Sequence, residues 1–197
     1  MTVCTGGQLT CSGGAGPNVY FAEDFKNNSK GWTLDTGWGI GSATASSGQN
    51  FGFPDPAMDH TPTADNGIAG AYIGGNVPIT ANPPKYLLSP VINMTGKAGP
   101  IVLTYYRVLN SDYPGYMDST LEVKNAAGTW VVLFSVPQFT PISEQSWLKY
   151  THDVSAHAAN NPNFQMRWGW STTGSALTYT VSGWNVDDVS LANAACP

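Results

Sequence analysis

Ile101-Val102-Leu103-Thr104-Tyr105-Tyr106-Arg107-Val108-Leu109 is nine residues of β-branched, aromatic and aliphatic side chains with one charge and no glycine or proline. Such a run fits a pleated, mostly buried strand, and its period of two puts Val102, Thr104, Tyr106 and Val108 on one face. On either side of it, short runs of the same kind recur between turn signals. They are Val19–Phe25, Tyr72–Ile73, Tyr86–Ile92, Thr120–Val123, Trp130–Val136, Trp147–Val154, Phe164–Trp170 and Trp184–Leu191. Leu121 and Val123 alternate with Glu122, as a half-buried strand requires. Helical periodicity is nowhere sustained, and most of the 22 glycines and 14 prolines fall between the runs. The pattern predicts an all-β fold, a jelly-roll β-sandwich of two antiparallel sheets, with no repeat of the kind a propeller or solenoid would show. The domain is expected over residues 18–192, after a Gly-rich linker or lead-in over 1–17 and before a short tail over 193–197. Asp35 to Asp55 and Asn76–Pro84 read as long surface loops.

The chain has 197 residues, enough for one domain, and a formal net charge of -5. That sign is wrong for a surface that neutralises phosphates, so a nucleic-acid partner is not expected. Residues 168–186 carry no charge but are too rich in Ser, Thr and Gly to span a bilayer. Cys4, Cys11 and Cys196 have no zinc-like spacing; two of them could form a disulfide, leaving one thiol over. With no signal-peptide pattern in the chain, it reads as a module cut from a larger secreted or cell-surface protein.

Catalytic signatures are sparse. His60, His152 and His157 are the histidines, and neither His-Glu-X-X-His nor Gly-X-Ser-X-Gly occurs. His60 reads as a structural histidine bonded to a loop carboxylate. Asp112, Asp118, Glu122 and Glu144 offer no pair that the sequence can place across a cleft, so no catalytic residue is assigned. Carboxylates do bunch at the ends of the domain, Glu23-Asp24 in the first strand and Asp187-Asp188 in the last. If those strands pair and Asp187 follows the inward phase of Val189 and Leu191, the charges require compensation, and calcium, which accepts carboxylates in flexible geometry, suits them best. The competing reading has these acids capping turns or pairing with Lys26, Lys30 or Arg107. Among the aromatics, Trp32, Trp130, Trp147, Trp168, Trp170 and Trp184 fall in or beside strands and read as core. Trp38, Tyr113 and Tyr116 lie among Gly and Pro and form a candidate sugar-stacking platform.

Several short motifs in order resemble a MAM domain: Phe21-Ala22-Glu23-Asp24-Phe25 followed by Gly31-Trp32, Asp59-His60-Thr61 leading to Gly70-Ala71-Tyr72-Ile73, then Tyr86-Leu87-Leu88-Ser89-Pro90 and Leu103-Thr104-Tyr105-Tyr106. The closing Trp184-Asn185-Val186-Asp187-Asp188-Val189-Ser190-Leu191 is similar to that of MAM domains and of the cleaved-adhesin domains of gingipains. The resemblance covers about residues 19–191. It implies a jelly roll, a non-catalytic adhesion or binding role, and a structural cation held by the acids of the first-strand motif, Glu23 and Asp24, with Asp59 and Asp187. Animal MAM domains carry internal cysteine pairs that this chain lacks, and Lys26 stands where an acid often follows the opening motif, so the bacterial secreted variety fits better. The leading expectation is an accessory or adhesion module of a secreted bacterial protein, binding a protein or glycan surface and stabilised by calcium. A carbohydrate-binding module using exposed aromatics is the alternative, and a jelly-roll polysaccharide-acting enzyme is disfavoured by the mere 8 Lys and Arg.

Overall fold

The computed structural model describes residues 18–193 in full and the backbone of residues 2–5 and 8–11. Its elements are β1 (Thr2–Thr5), β2 (Gln8–Cys11), β3 (Val19–Glu23), β4 (Thr33–Leu34), β5 (Trp38–Ser42), β6 (Gly67–Ala71), β7 (Asn82–Leu88), β8 (Val102–Ser111), β9 (Met117–Lys124), β10 (Trp130–Ser135), β11 (Ile142–Ser143), β12 (Leu148–Asp153), the one-turn helix α1 (Ser155–Ala158), β13 (Gln165–Thr172) and β14 (Gly183–Ala192). Two antiparallel sheets face each other. One has the order β10-β9-β13-β7-β4; the other has β11-β8-β14-β6-β5, with β12 also on β8 and β3 also on β14. This is the expected all-β jelly-roll sandwich, and its first and last strands do pair, Glu23 opposite Val189. Within the stretch read as a lead-in, β1 and β2 form a hairpin. The side chains of Cys4 and Cys11, and Cys196 with the rest of the tail beyond Asn193, lie outside the described residues. No helix among the described residues is long and apolar enough to cross a membrane.

The core between the sheets is aromatic at its centre. Trp32 lies 5.9 Å from Trp168, which meets Tyr105 edge-on at 5.4 Å, and Phe25 packs on Trp32 at 5.2 Å. The inward face of β8 carries Leu103, Tyr105, Arg107 and Leu109, so Val102, Thr104, Tyr106 and Val108 form the outer face. Arg107 is accommodated inside because Glu144 pairs with it at 2.7 Å, Tyr150 accepts from it at 2.9 Å, and its guanidinium lies on the rings of Tyr150 and Phe134.

The outer face of the seven-stranded sheet is covered by the chain between β5 and β6. Asp55 accepts from Asn185 and from the Gly74 amide, the Phe53 amide donates to Asn110, and His60 stacks on Tyr106 with ring centres 3.3 Å apart. The segment expected as a surface loop from Asp35 to Asp55 therefore contains strand β5 and a buried anchor at Asp55, which is 2% exposed. The loop expected over Asn76–Pro84 gives way to β7 at Asn82.

Glu23 is also buried. Its carboxylate accepts from the Trp32 indole at 2.7 Å and from the Phe25 amide at 3.1 Å, deep in the aromatic core. Removing a buried acceptor leaves the indole N–H unsatisfied, whereas an amide of the same shape can still accept from it. Glu23→Ala should accordingly lower stability by about 2–4 kcal/mol in chemical denaturation, and Glu23→Gln by about 1 kcal/mol or less. Equal losses for both would mean that the charge of Glu23, and not its acceptor role, is what the core requires.

A candidate functional site on the open sheet

Along β13 the residues Arg167-Trp168-Gly169-Trp170-Ser171 alternate, and both tryptophans point inward. Arg167, Gly169 and Ser171 therefore face out. On β9 the outward set is Asp118, Thr120 and Glu122, between the buried Met117, Ser119, Leu121 and Val123. Strand pairing lines these up in rows: Ser135, Thr120, Gly169 and Tyr86 in one, Glu122 and Arg167 in the next, Asp118 and Ser171 in the third. The central row has no side chain at Gly169, where a Cβ would come within 2.7 Å of the Tyr86 ring and 3.0 Å of the Thr120 hydroxyl. A glycine inside a strand interior costs stability, and here it marks a close approach that no other residue allows.

The result is a groove of about 300 Å³ across the sheet, with Gly169 on its floor, Tyr86 and Pro84 on one side, and Pro114 and Val136 from neighbouring loops at its end. Its polar groups are Asp118, Thr120, Glu122, Ser135 and Ser171. Beside it, Arg167 donates to Glu122 at 2.7 Å, and its guanidinium carbon lies 3.9 Å from the centre of the Tyr86 ring and 4.1 Å from that of Trp130. Thr120 donates to the other oxygen of Glu122 at 3.2 Å. Arg167 is thus paired with a carboxylate and stacked, so its charge is not free to receive an anionic ligand.

The arrangement can stack one ring face and offer several hydroxyls and carboxylates to a polyhydroxylated ligand. It does not provide the two facing carboxyls of a glycosidase. Asp118 and Glu122 sit four residues apart on one strand, about 13 Å along it, beyond the roughly 5–9.5 Å that retaining or inverting hydrolysis uses.

The residues expected to form a stacking platform fall elsewhere. Trp38 is 6% exposed, part of the core cluster, and its indole donates to the Lys85 carbonyl, because the segment taken for a loop pairs as β5 with β6. It offers no face to a ligand. Tyr113 and Tyr116 are half-buried on the β8–β9 turn, closed by Tyr116 N–H to Tyr113 O, and Tyr113 leans on Tyr179. Of that turn, Pro114 reaches the groove. Trp32, Trp168, Trp170 and Trp184 are buried as expected, whereas Trp130 and Trp147 are half-exposed.

The expected metal ligands are divided between two faces of one sheet. Register shifts along β14 between Asp187 and Ser190, and Asp188 has φ +47°. Before this bulge Trp184 and Val186 point into the core, and after it Val189 and Leu191 do. Asp187 therefore faces outward with its pairing partner Tyr106, while Glu23, opposite Val189, faces inward to Trp32. Asp24 bonds its own turn at the Lys26 amide. Asp59 stands on the outer side near Asp187, where it accepts from the Thr63 amide and hydroxyl. Asp187 accepts from the amides of His60 at 2.9 Å and Asp188 at 2.7 Å, and Asp188 pairs with His60 Nδ1 at 2.7 Å and with the Thr61 hydroxyl. Among the described residues no three Asp, Glu, His or Cys side chains converge on a point where an ion could sit. The set Glu23, Asp24, Asp59 and Asp187 does not fit a shared calcium. His60 has the structural role expected of it, clamping the covering loop to the last strand.

No family model and no curated protein matches the chain, and the MAM-like resemblance is not shown by these comparisons. Among solved structures, the CBM22-2 xylan-binding domain of Paenibacillus barcinonensis Xyn10C is 14% identical over 88% of this chain and 98% of its own, with a TM-score of 0.45. A second xylan-binding domain from CBM 22 is 8% identical over 90% and 97%, with a TM-score of 0.44. The enzymatically active domain of tailspike protein 4 from bacteriophage CBA120 is 12% identical over 85% of this chain and 20% of its own, with a TM-score of 0.42. At that level of likeness the fold assignment rests on the strand pairing of this chain itself.

The protein groups around Asp187 favour its protonated form. Burial first, then the neighbouring Asp188 charge, raises its pKa from 3.8 to about 8. A carboxyl whose pKa is higher folded than unfolded contributes stability that is complete below about pH 4 and is lost as pH rises towards about 8. In EDTA, the melting temperature should therefore fall between about pH 5 and pH 9, and Asp187→Asn should flatten that slope. An unchanged slope in the variant would place the titration elsewhere.

Proposed function

We propose that this chain is a non-catalytic carbohydrate-binding module that takes a neutral glycan chain in the groove over Gly169, as an accessory part of a larger extracellular protein. The observation that carries the reading is the row Ser135, Thr120, Gly169 and Tyr86: an aromatic ring laid close on a glycine at the floor of the groove, with hydroxyls and carboxylates on either hand. A sugar ring needs close approach along its flat apolar face and hydrogen-bond partners around its edge. Neutral sugars are favoured because Asp118 and Glu122 outweigh the single neighbouring cation, Arg167, and that cation is already paired. A uronate would meet net negative potential there. The same pairing disfavours a lyase, which must neutralise the carboxylate of its substrate.

Isothermal titration against soluble xylan, mixed-linkage β-glucan, galactomannan and polygalacturonate tests this. At least one neutral polymer should bind, and polygalacturonate should not. Tyr86→Ala should weaken binding by about 0.5–1.5 kcal/mol, Tyr86→Phe should retain it, and Tyr113→Ala and Tyr116→Ala should leave it within error. Tight binding of polygalacturonate would reverse the electrostatic argument, and indifference of all four polymers to Tyr86→Ala would remove the groove from the site.

A further inference from the structure

The segment from Val136 to Pro141 leaves the open sheet at β10 and crosses to β11 in the opposite sheet. It begins at the groove, since Val136 lines it and donates its amide to the Ser119 carbonyl at 3.2 Å. Pro137 O then accepts from the Thr140 amide at 3.3 Å, closing a tight turn whose third residue is Phe139, with φ +63°. That backbone region favours Gly or Asn, and a bulky aromatic there is strained. Phe139 is also 84% exposed, more than any other large hydrophobic residue of the described chain. An aromatic that is both strained and in water has no justification in the stability of the turn. Pro137 and Pro141 bracket it, and the whole segment Val136-Pro137-Gln138-Phe139-Thr140-Pro141 is uncharged. A ring on a proline-stiffened loop loses little conformational freedom when it engages a ligand. Two residues, Pro137 and Gln138, separate it from the groove-lining Val136, at most about 10 Å of chain.

We propose that Phe139 is a second stacking platform, engaging a ring of the glycan beyond the groove and so setting the chain length that the module prefers. The inference rests on the groove reading, and it commits the exposed ring to the same ligand as Tyr86, not to a protein partner. Its test compares trisaccharide and hexasaccharide of the xylo, cello and manno series by isothermal titration with wild type, Phe139→Asn and Phe139→Trp. In the series that wild type binds best, Phe139→Asn should lower hexasaccharide affinity about three- to tenfold. It should leave trisaccharide affinity within about twofold, with a melting temperature equal to or above that of wild type because the strain is relieved. Phe139→Trp should restore the hexasaccharide affinity. Unchanged hexasaccharide affinity in Phe139→Asn, or equal losses for both lengths, overturns the proposal. A wild type that binds none of the sugars would instead fail the groove itself, before any Phe139 variant is measured, and this inference would fall with it.

Discussion

Strand β14 pairs with β3, β6 and β8, and a single extra residue in it settles which side chain meets which environment. A straight strand that buried Trp184 and Val186 would turn Val189 and Leu191 towards the covering loop and Asp188 into the core. The bulge at Asp188 changes the phase, so all four apolar residues reach the core, each gaining about 1.5–3 kcal/mol from burial. The left-handed conformation of Asp188 costs about 1–2 kcal/mol, and its bonds to His60 and Thr61 help to offset it. Because the polar residues Asn185, Asp187 and Asp188 emerge together on the other side, the chain between β5 and β6 has buried partners to grip. It does so through Asp55, His60 and the Asp59 turn.

That grip makes the two outer faces of the sandwich unequal. The seven-stranded sheet is roofed by its own loop, held by the bonds of Asp55, His60 and Asp187. The five-stranded sheet carries no such loop, and in its outward row Gly169 lets the Tyr86 ring and the Thr120 hydroxyl lie close on the strand at the floor of the groove. A ligand face and a loop-bearing face are thus two consequences of one chain route: residues 43–66 can cover only one side.

Much of the fold was legible. Eight of the nine expected runs lay under strands, while Tyr72–Ile73 falls just past β6, and the terminal strands, whose pairing was a condition of the metal reading, do pair. What escaped were Gly-rich or very short strands, β4, β5, β6 and β11, together with the β1–β2 hairpin in the expected lead-in, which their partners and not their own propensities hold. Trp38 was misplaced for this reason, since Gly37 and Gly39 around it resemble a loop until β6 is beside them. The expected ligand set was divided by phase: no residue in Val186-Asp187-Asp188-Val189 announces a bulge, and without it Asp187 and Glu23 share a face. The groove residues were missed for a different reason. Tyr86, Thr120, Glu122 and Arg167 are unremarkable singly, and only cross-strand register gathers them. One local signal existed: in Trp168-Gly169-Trp170, two inward indoles force the intervening glycine outward, and an outward glycine in mid-strand lets a neighbouring side chain, here the Tyr86 ring, lie close on the backbone.

The groove also explains why Arg167 sits where a binding residue might be sought. An arginine beside an aromatic ring on an open sheet would ordinarily attract acidic ligands. Here Glu122 takes one edge of the guanidinium, and Tyr86 and Trp130 lie against it, so its contribution is to hold the Tyr86 ring beside the groove. A ring held by a flat, paired cation is positioned, so that it loses little freedom when a ligand stacks on it. On the groove side the charges of Glu122 and Arg167 offset each other, which leaves Asp118 as the unpaired charge of the lining.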